Sequence, residues 1–114
     1  MNPMLGTYMA LVAAIICEVI ATSFLPSTQQ FTRFWPTVAT AVFYGAAFYF
    51  LSISLRTLPV GIAYALWSGL GIVLISLVGY LLYRQVLDLP AIIGIALILS
   101  GVIIINLFSR SIAH

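Results

Sequence analysis

The stretch Val12–Phe24, VAAIICEVIATSF, holds one carboxylate, Glu18, among residues that are otherwise apolar or small. An uninterrupted run of this kind reads as the middle of a helix that crosses a bilayer. A carboxylate at the centre of such a helix costs about 2.5–3.5 kcal/mol on insertion scales. The whole chain has only two acidic residues, so placing one of them here demands a chemical reason.

The composition sets the solvent. The chain has 114 residues, 64% hydrophobic and 5% charged, with a mean hydropathy of +1.25. Soluble domains carry about 25% charged and 45–50% apolar residues. A fold of this length cannot hide so much apolar surface from water, and a bilayer is the solvent it suits. The cations are Arg33, Arg56, Arg84 and Arg110, isolated from one another and with no lysine, which excludes a nucleic-acid footprint. Cys17 is the only cysteine; it forms no internal disulfide or thiolate metal cluster, and in an apolar run it reads as a small packing residue. No Arg or Lys precedes position 33 and Glu18 interrupts the apolar run, so the first segment reads as a span and not a signal peptide.

Four apolar runs follow one another, at about residues 4–25, 35–55, 60–83 and 89–108, separated by PSTQQFTR, RTLP and RQVLD. Each is long enough as a helix to cross ~30 Å of hydrocarbon, and lipid requires each to satisfy its backbone internally. Pro36, Pro59 and Pro90 fall near helix starts, where a missing N–H costs little; Pro26 closes the first helix. Arg33 with Trp35, and Tyr80, Tyr83 and Arg84, suit the membrane interface. The expected fold is an all-α integral membrane domain covering 1–114, with four transmembrane helices and antiparallel neighbours.

Orientation is nearly unbiased. The breaks after the first and third helices place Arg33 and Arg84 on one side. Arg56, Arg110, His114 and the N-terminus fall on the other. Two arginines face two, so the positive-inside rule gives almost no preference. The chain is expected to insert both ways, and opposed copies can pair as an antiparallel homodimer. Four spans also make thin walls for a central cavity, which independently favours association.

Glu18 lies roughly 5 Å from the midpoint of its run at 1.5 Å per residue, and no cation shares its depth. An intramembrane acid without such a partner marks a functional site. Desolvation disfavours an ionised carboxyl, so this one is suited to carry a proton across the membrane. When ionised it is a site for a cation. Proton and cation then compete for one group, which suffices for exchange, and two copies in a dimer would titrate together. Beside Glu18 on the helix face lie the small residues Ala14, Ala21 and Thr22, which leave space or admit a close helix.

Few other polar groups exist to line a site. Tyr44 lies midway along the second helix, Tyr64 and Trp67 share a face of the third, and Tyr8 precedes Glu18 on the first. Aromatic faces attract organic cations of varied shape, so these read together as a pocket for hydrophobic cations. Gly69 and Gly71 in SGLG mark a bend or close approach in the third helix. Gly94 and Gly101, seven apart, form a small-residue stripe on the fourth. That helix has no ionisable residue and looks built for self-association.

The stretches AAIICEVIATS, FTRFWP, LPVGIAYALWSGLGIVLISL, LDLPAIIG and GVIIINLFSRS, in this order and spacing, resemble the small multidrug resistance family over nearly the whole chain. The resemblance implies four helices, an antiparallel dual-topology homodimer in the bacterial inner membrane, and export of aromatic or quaternary cations in exchange for protons. It implies that Glu18 is the shared proton and drug carboxylate, that Tyr44, Tyr64 and Trp67 are pocket aromatics, and that Tyr8, Ala14 and Thr22 line the first helix. It also implies a bend at Gly69 and Gly71 and a dimer contact through Gly94 and Gly101. Three positions depart from the family pattern. Pro26 stands where a Lys is common, Val86 where a basic residue precedes LDLP, and Ala47 where a small polar residue follows the second-helix Tyr. Loop charge and pocket polarity differ accordingly.

The leading expectation is a proton-coupled antiporter for lipophilic cations, driven by the proton gradient and needing no cofactor or metal. Two alternatives stand beside it: a narrower exporter of guanidinium or polyamine-type cations, and a non-transporting membrane subunit that docks a partner through Glu18. The aromatic-rich YALWSG stretch favours the first. No nucleophile–base pair or metal-ligand set is visible, so an enzyme is not expected.

Overall fold

The computed structural model describes residues 3–110; His114, assigned above to one membrane side, lies outside the described residues. Four helices follow one another: α1 (Pro3–Phe24), α2 (Phe34–Ser54), α3 (Val60–Tyr83) and α4 (Leu89–Phe108). Each is long and apolar enough to cross a membrane. The molecule measures 44 × 34 × 20 Å. Its long axis matches the ~40–45 Å of a bilayer with headgroups, and its thin axis is two helix diameters, each ~10 Å.

Alanines set the packing. Ala10, Ala14, Ala21, Ala47 and Ala63 are buried, and without long side chains the helix backbones approach closely. Leu11, Ile15, Val19, Leu58, Ala63 and Leu66 form the core cluster, joining α1, the α2–α3 connection and α3. Side-chain hydroxyls within the spans bond back to their own helix: Thr40 to the Pro36 carbonyl and Ser100 to that of Ala96, each at 2.8 Å, and Ser54 to Leu51 at 2.7 Å. Lipid offers no alternative acceptor, so this local bonding removes the desolvation penalty.

The connections are tight. A 3-10 turn, Leu25–Thr28, follows α1 with Pro26 in its first positions, where no amide hydrogen is required. Gln29, Gln30 and Phe31 then take positive φ of 48°, 59° and 64°, a left-handed run of three non-glycine residues. Buried Thr28 holds this turn by donating to the Leu25 carbonyl at 2.8 Å and accepting from the Phe31 amide at 3.2 Å. At the other end of the bundle the Thr7 and Thr57 hydroxyls bond each other. The α3 helix ends at Arg84 in a left-handed conformation, with the Gln85 amide donating back to the Gly79 carbonyl at 3.0 Å, a standard helix stop. Asp88 caps α4 by accepting from the Ala91 amide at 3.1 Å.

Helix α4 stands apart from this packing. It has no buried residue and touches the rest mainly along α3. Gly69 makes that contact possible: a methyl group there would come within 2.4 Å of Val102 Cγ2. From α1, Tyr8 reaches across to donate to Asn106 Oδ1 at 3.3 Å. Gly94 and Gly101 face open space, with nothing within 4 Å of where a side chain would begin.

Candidate functional site

The α1 span with its trailing turn runs from Met4 to Thr28, and Glu18 sits two residues from its centre at residue 16. The carboxylate is half-buried and opens on a cavity of about 420 Å³ between α1, α2 and α3. Cavities that take drug-sized ligands span ~300–1,000 Å³, with mostly apolar walls and a few placed polar groups. Tyr44 and Phe48 line this one from α2; Tyr64, Trp67, Ser68 and Gly71 line it from α3. The Phe48 and Trp67 rings lie 6.1 Å apart, tilted by 43°.

The two carboxylate oxygens of Glu18 have different neighbours. Thr22, one helical turn on, donates its hydroxyl to Oε1 at 2.8 Å, and the same hydroxyl lies 2.7 Å from that of Tyr44. Oε2 points the other way: a methyl group on Gly71 would stand 3.7 Å from it and 3.6 Å from Trp67 Cδ1. No arginine lines the cavity, and among the described residues no cluster of His, Cys, Asp and Glu could hold a metal ion. The polar groups at this cavity are therefore one carboxylate and a few hydroxyls, set among aromatic faces.

The residues singled out from the sequence divide into groups. Glu18, Tyr44, Tyr64, Trp67 and Gly71 meet at the cavity, with Thr22 bonded to Glu18 at its edge. Ala14 is completely buried in helix packing and does not line it. Tyr8 lies on a separate shallow apolar groove of α1, beside Met9, Val12, Ala13 and Ile16. Helix α3 runs unbroken through Gly69 and Gly71; Gly69 seats Val102, while Gly71 borders Trp67 and Glu18. Cys17 is a half-buried free thiol. Among the departures from the family pattern, Ala47 is fully buried and Val86 exposed.

Phe48, Ser68, Ile72 and Ile75 also line the cavity, and sequence reasoning did not single them out. Their spacing carries the signal. Phe48 is four residues after Tyr44, and Tyr64, Ser68, Gly71, Ile72 and Ile75 repeat at helical intervals on one stripe.

A sequence profile described as Small Multidrug Resistance protein matches residues 6–98. The chain belongs to the small multidrug resistance family. It is 53% identical over 114 residues to the Multidrug transporter EmrE of Escherichia coli (strain K12), covering 100% of both chains. It is 50% identical over 107 residues to the Quaternary ammonium compound-resistance protein QacE of Escherichia coli, covering 94% of this chain and 97% of that one. To the Quaternary ammonium compound-resistance protein QacF of Klebsiella aerogenes it is 52% identical over 104 residues, covering 91% and 94%. Small multidrug resistance relatives named as transporters and four apolar helices make this a multi-pass protein of the bacterial inner membrane.

Proposed function

We propose that this chain is a proton-coupled antiporter that exports lipophilic, aromatic and quaternary cations. The single observation that carries the reading is the placement of Glu18, an acid at the centre of a membrane span, on the wall of an aromatic-lined cavity of about 420 Å³. Relatives named for multidrug transport and quaternary ammonium resistance support the same reading. The proton gradient supplies the energy. A proton on Glu18 leaves no charge to attract a cation, and a cation against the ionised carboxylate disfavours reprotonation. Tyr44, Phe48, Tyr64 and Trp67 hold the cation's apolar body by ring-face attraction and desolvation.

The working unit is an antiparallel homodimer. The cavity is incompletely enclosed, and Tyr64 on its wall is 69% exposed. A second copy would close the cavity and bring a second Glu18. The stripe of Gly94 and Gly101 on α4 is open to a neighbouring helix, and the even arginine count suits opposed insertion. Bending of α3 near Gly69 and Gly71 would move the mouth of the cavity from one membrane face to the other.

Flux in proteoliposomes tests the function. Tetraphenylphosphonium is expected to drive proton movement in the wild type, and Glu18→Gln to abolish it while leaving assembly intact. Guanidinium-driven movement without tetraphenylphosphonium-driven movement would instead indicate the narrower exporter. Neither flux in the wild type would overturn antiport.

A further inference from the structure

We propose that Thr22 is the positioning residue of the exchange carboxyl, and that it confines proton and cation exchange to one of the two oxygens, Oε2. The proposal rests on Glu18 being the shared site.

A threonine hydroxyl has one hydrogen. Thr22 spends it on Glu18 Oε1 at 2.8 Å. The 2.7 Å contact between the Thr22 and Tyr44 hydroxyls then has only one possible donor, Tyr44. The chain of bonds runs from Tyr44 on α2, through Thr22, to Oε1, with its direction fixed. The remaining titratable group facing the cavity is Tyr64 from α3; α4 contributes no lining residue, and no charged side chain other than Glu18 lines the cavity.

This fixed direction decides where a proton can sit. A proton on Oε1 would put two hydrogens between Oε1 and Thr22, so the Thr22 hydroxyl would have to turn its own hydrogen away and give up this bond. A proton on Oε2 leaves Oε1 as a carbonyl-type acceptor, and the Thr22 bond persists in both protonation states. Oε2 is also the oxygen turned towards Trp67 and the space beside Gly71, where the aromatic wall can hold a cation. Exchange therefore proceeds at Oε2: the proton leaves as its O–H bond breaks, passes to water, and the cation takes its place without rearrangement of the carboxyl. A carboxyl held through one oxygen does not rotate between turnovers, which keeps the site preorganised.

The test compares Thr22→Val, which keeps shape and removes the hydroxyl, with Thr22→Ser, which keeps the hydroxyl, in the full-length protein reconstituted in liposomes. The readouts are tetraphenylphosphonium-driven proton flux and the infrared carbonyl band of protonated Glu18, identified by its absence in Glu18→Gln. Thr22→Val is expected to slow turnover about tenfold, as fits loss of a charge-assisted bond, and to move the band to higher wavenumber as Oε1 loses its donor. Thr22→Ser is expected to restore the band position and most of the flux. Tyr44→Phe, which removes only the far donor, should slow flux less and add little in the Thr22→Val background, because both act through one chain. An unmoved band in Thr22→Val, or failure of Thr22→Ser to restore it, overturns the positioning role. If Thr22→Val does not assemble, the Tyr44→Phe band decides: a shift supports the chain and its absence refutes it. Persistent flux in Glu18→Gln would instead sink the reading of Glu18 itself.

Discussion

Gly69 and Val102 meet so closely that a methyl group on the glycine would stand 2.4 Å from Val102 Cγ2. Here α4 seats against α3, and valine is too stiff to swing away. Gly69→Ala is expected to destabilise the protein by about 1–3 kcal/mol through overpacking. Val102→Ala on the same chain should recover much of that loss, since the clash disappears. Thermal unfolding in detergent of the two single variants and the double variant measures the coupling. Strictly additive effects would contradict the contact.

The turn after α1 keeps three non-glycine residues at positive φ, with Gln30 in the middle at 59°. L-residues lose roughly 1–2 kcal/mol in this conformation, and glycine loses part of that advantage through its freer unfolded chain. Gln30→Gly is therefore expected to stabilise by about 0.5 kcal/mol. Gln30→Val should destabilise, because a β-branched side chain fits the left-handed region worst. The same melting experiment reads both signs.

The even distribution of arginines leads to a third expectation. Adding lysines to the α1–α2 and α3–α4 connections should commit the chain to one orientation, because basic residues are retained on the cytoplasmic side. Resistance to quaternary cations should then fall for either single-orientation variant. Co-expression of oppositely biased variants should restore it. Undiminished resistance from one biased variant alone would argue against the opposed dimer.

How much of this is legible in the sequence depends on which force writes it. Lipid forces each long apolar run into a helix, so four spans can be read from VAAIICEVIATSF and its counterparts without contact information. Glu18 is equally legible, because a central carboxylate is expensive and stands out by chemistry alone. Tyr44, Tyr64 and Trp67 follow because few other polar groups exist at that depth. Thr22 is harder to read. A hydroxyl in a membrane helix usually bonds its own backbone, as Thr40 and Ser100 do, and only the structure turns Thr22 towards Glu18 and Tyr44. Tyr8 illustrates the limit. Its bond to Asn106 spans 98 positions of sequence, and no local periodicity encodes such a pairing. Phe48 is hidden by abundance, one of seven phenylalanines in a chain where exposed aromatics are common.

The central claim is that one carboxylate cannot hold a proton and a lipophilic cation together, and equilibrium binding tests it most directly. Tetraphenylphosphonium affinity should be measured across pH for the wild type and for Glu18→Gln. The account predicts binding that weakens steadily as pH falls in the wild type, and residual, pH-independent binding in the variant. Wild-type affinity that stays constant through the titration of Glu18, or a variant that keeps the full pH dependence, would contradict it.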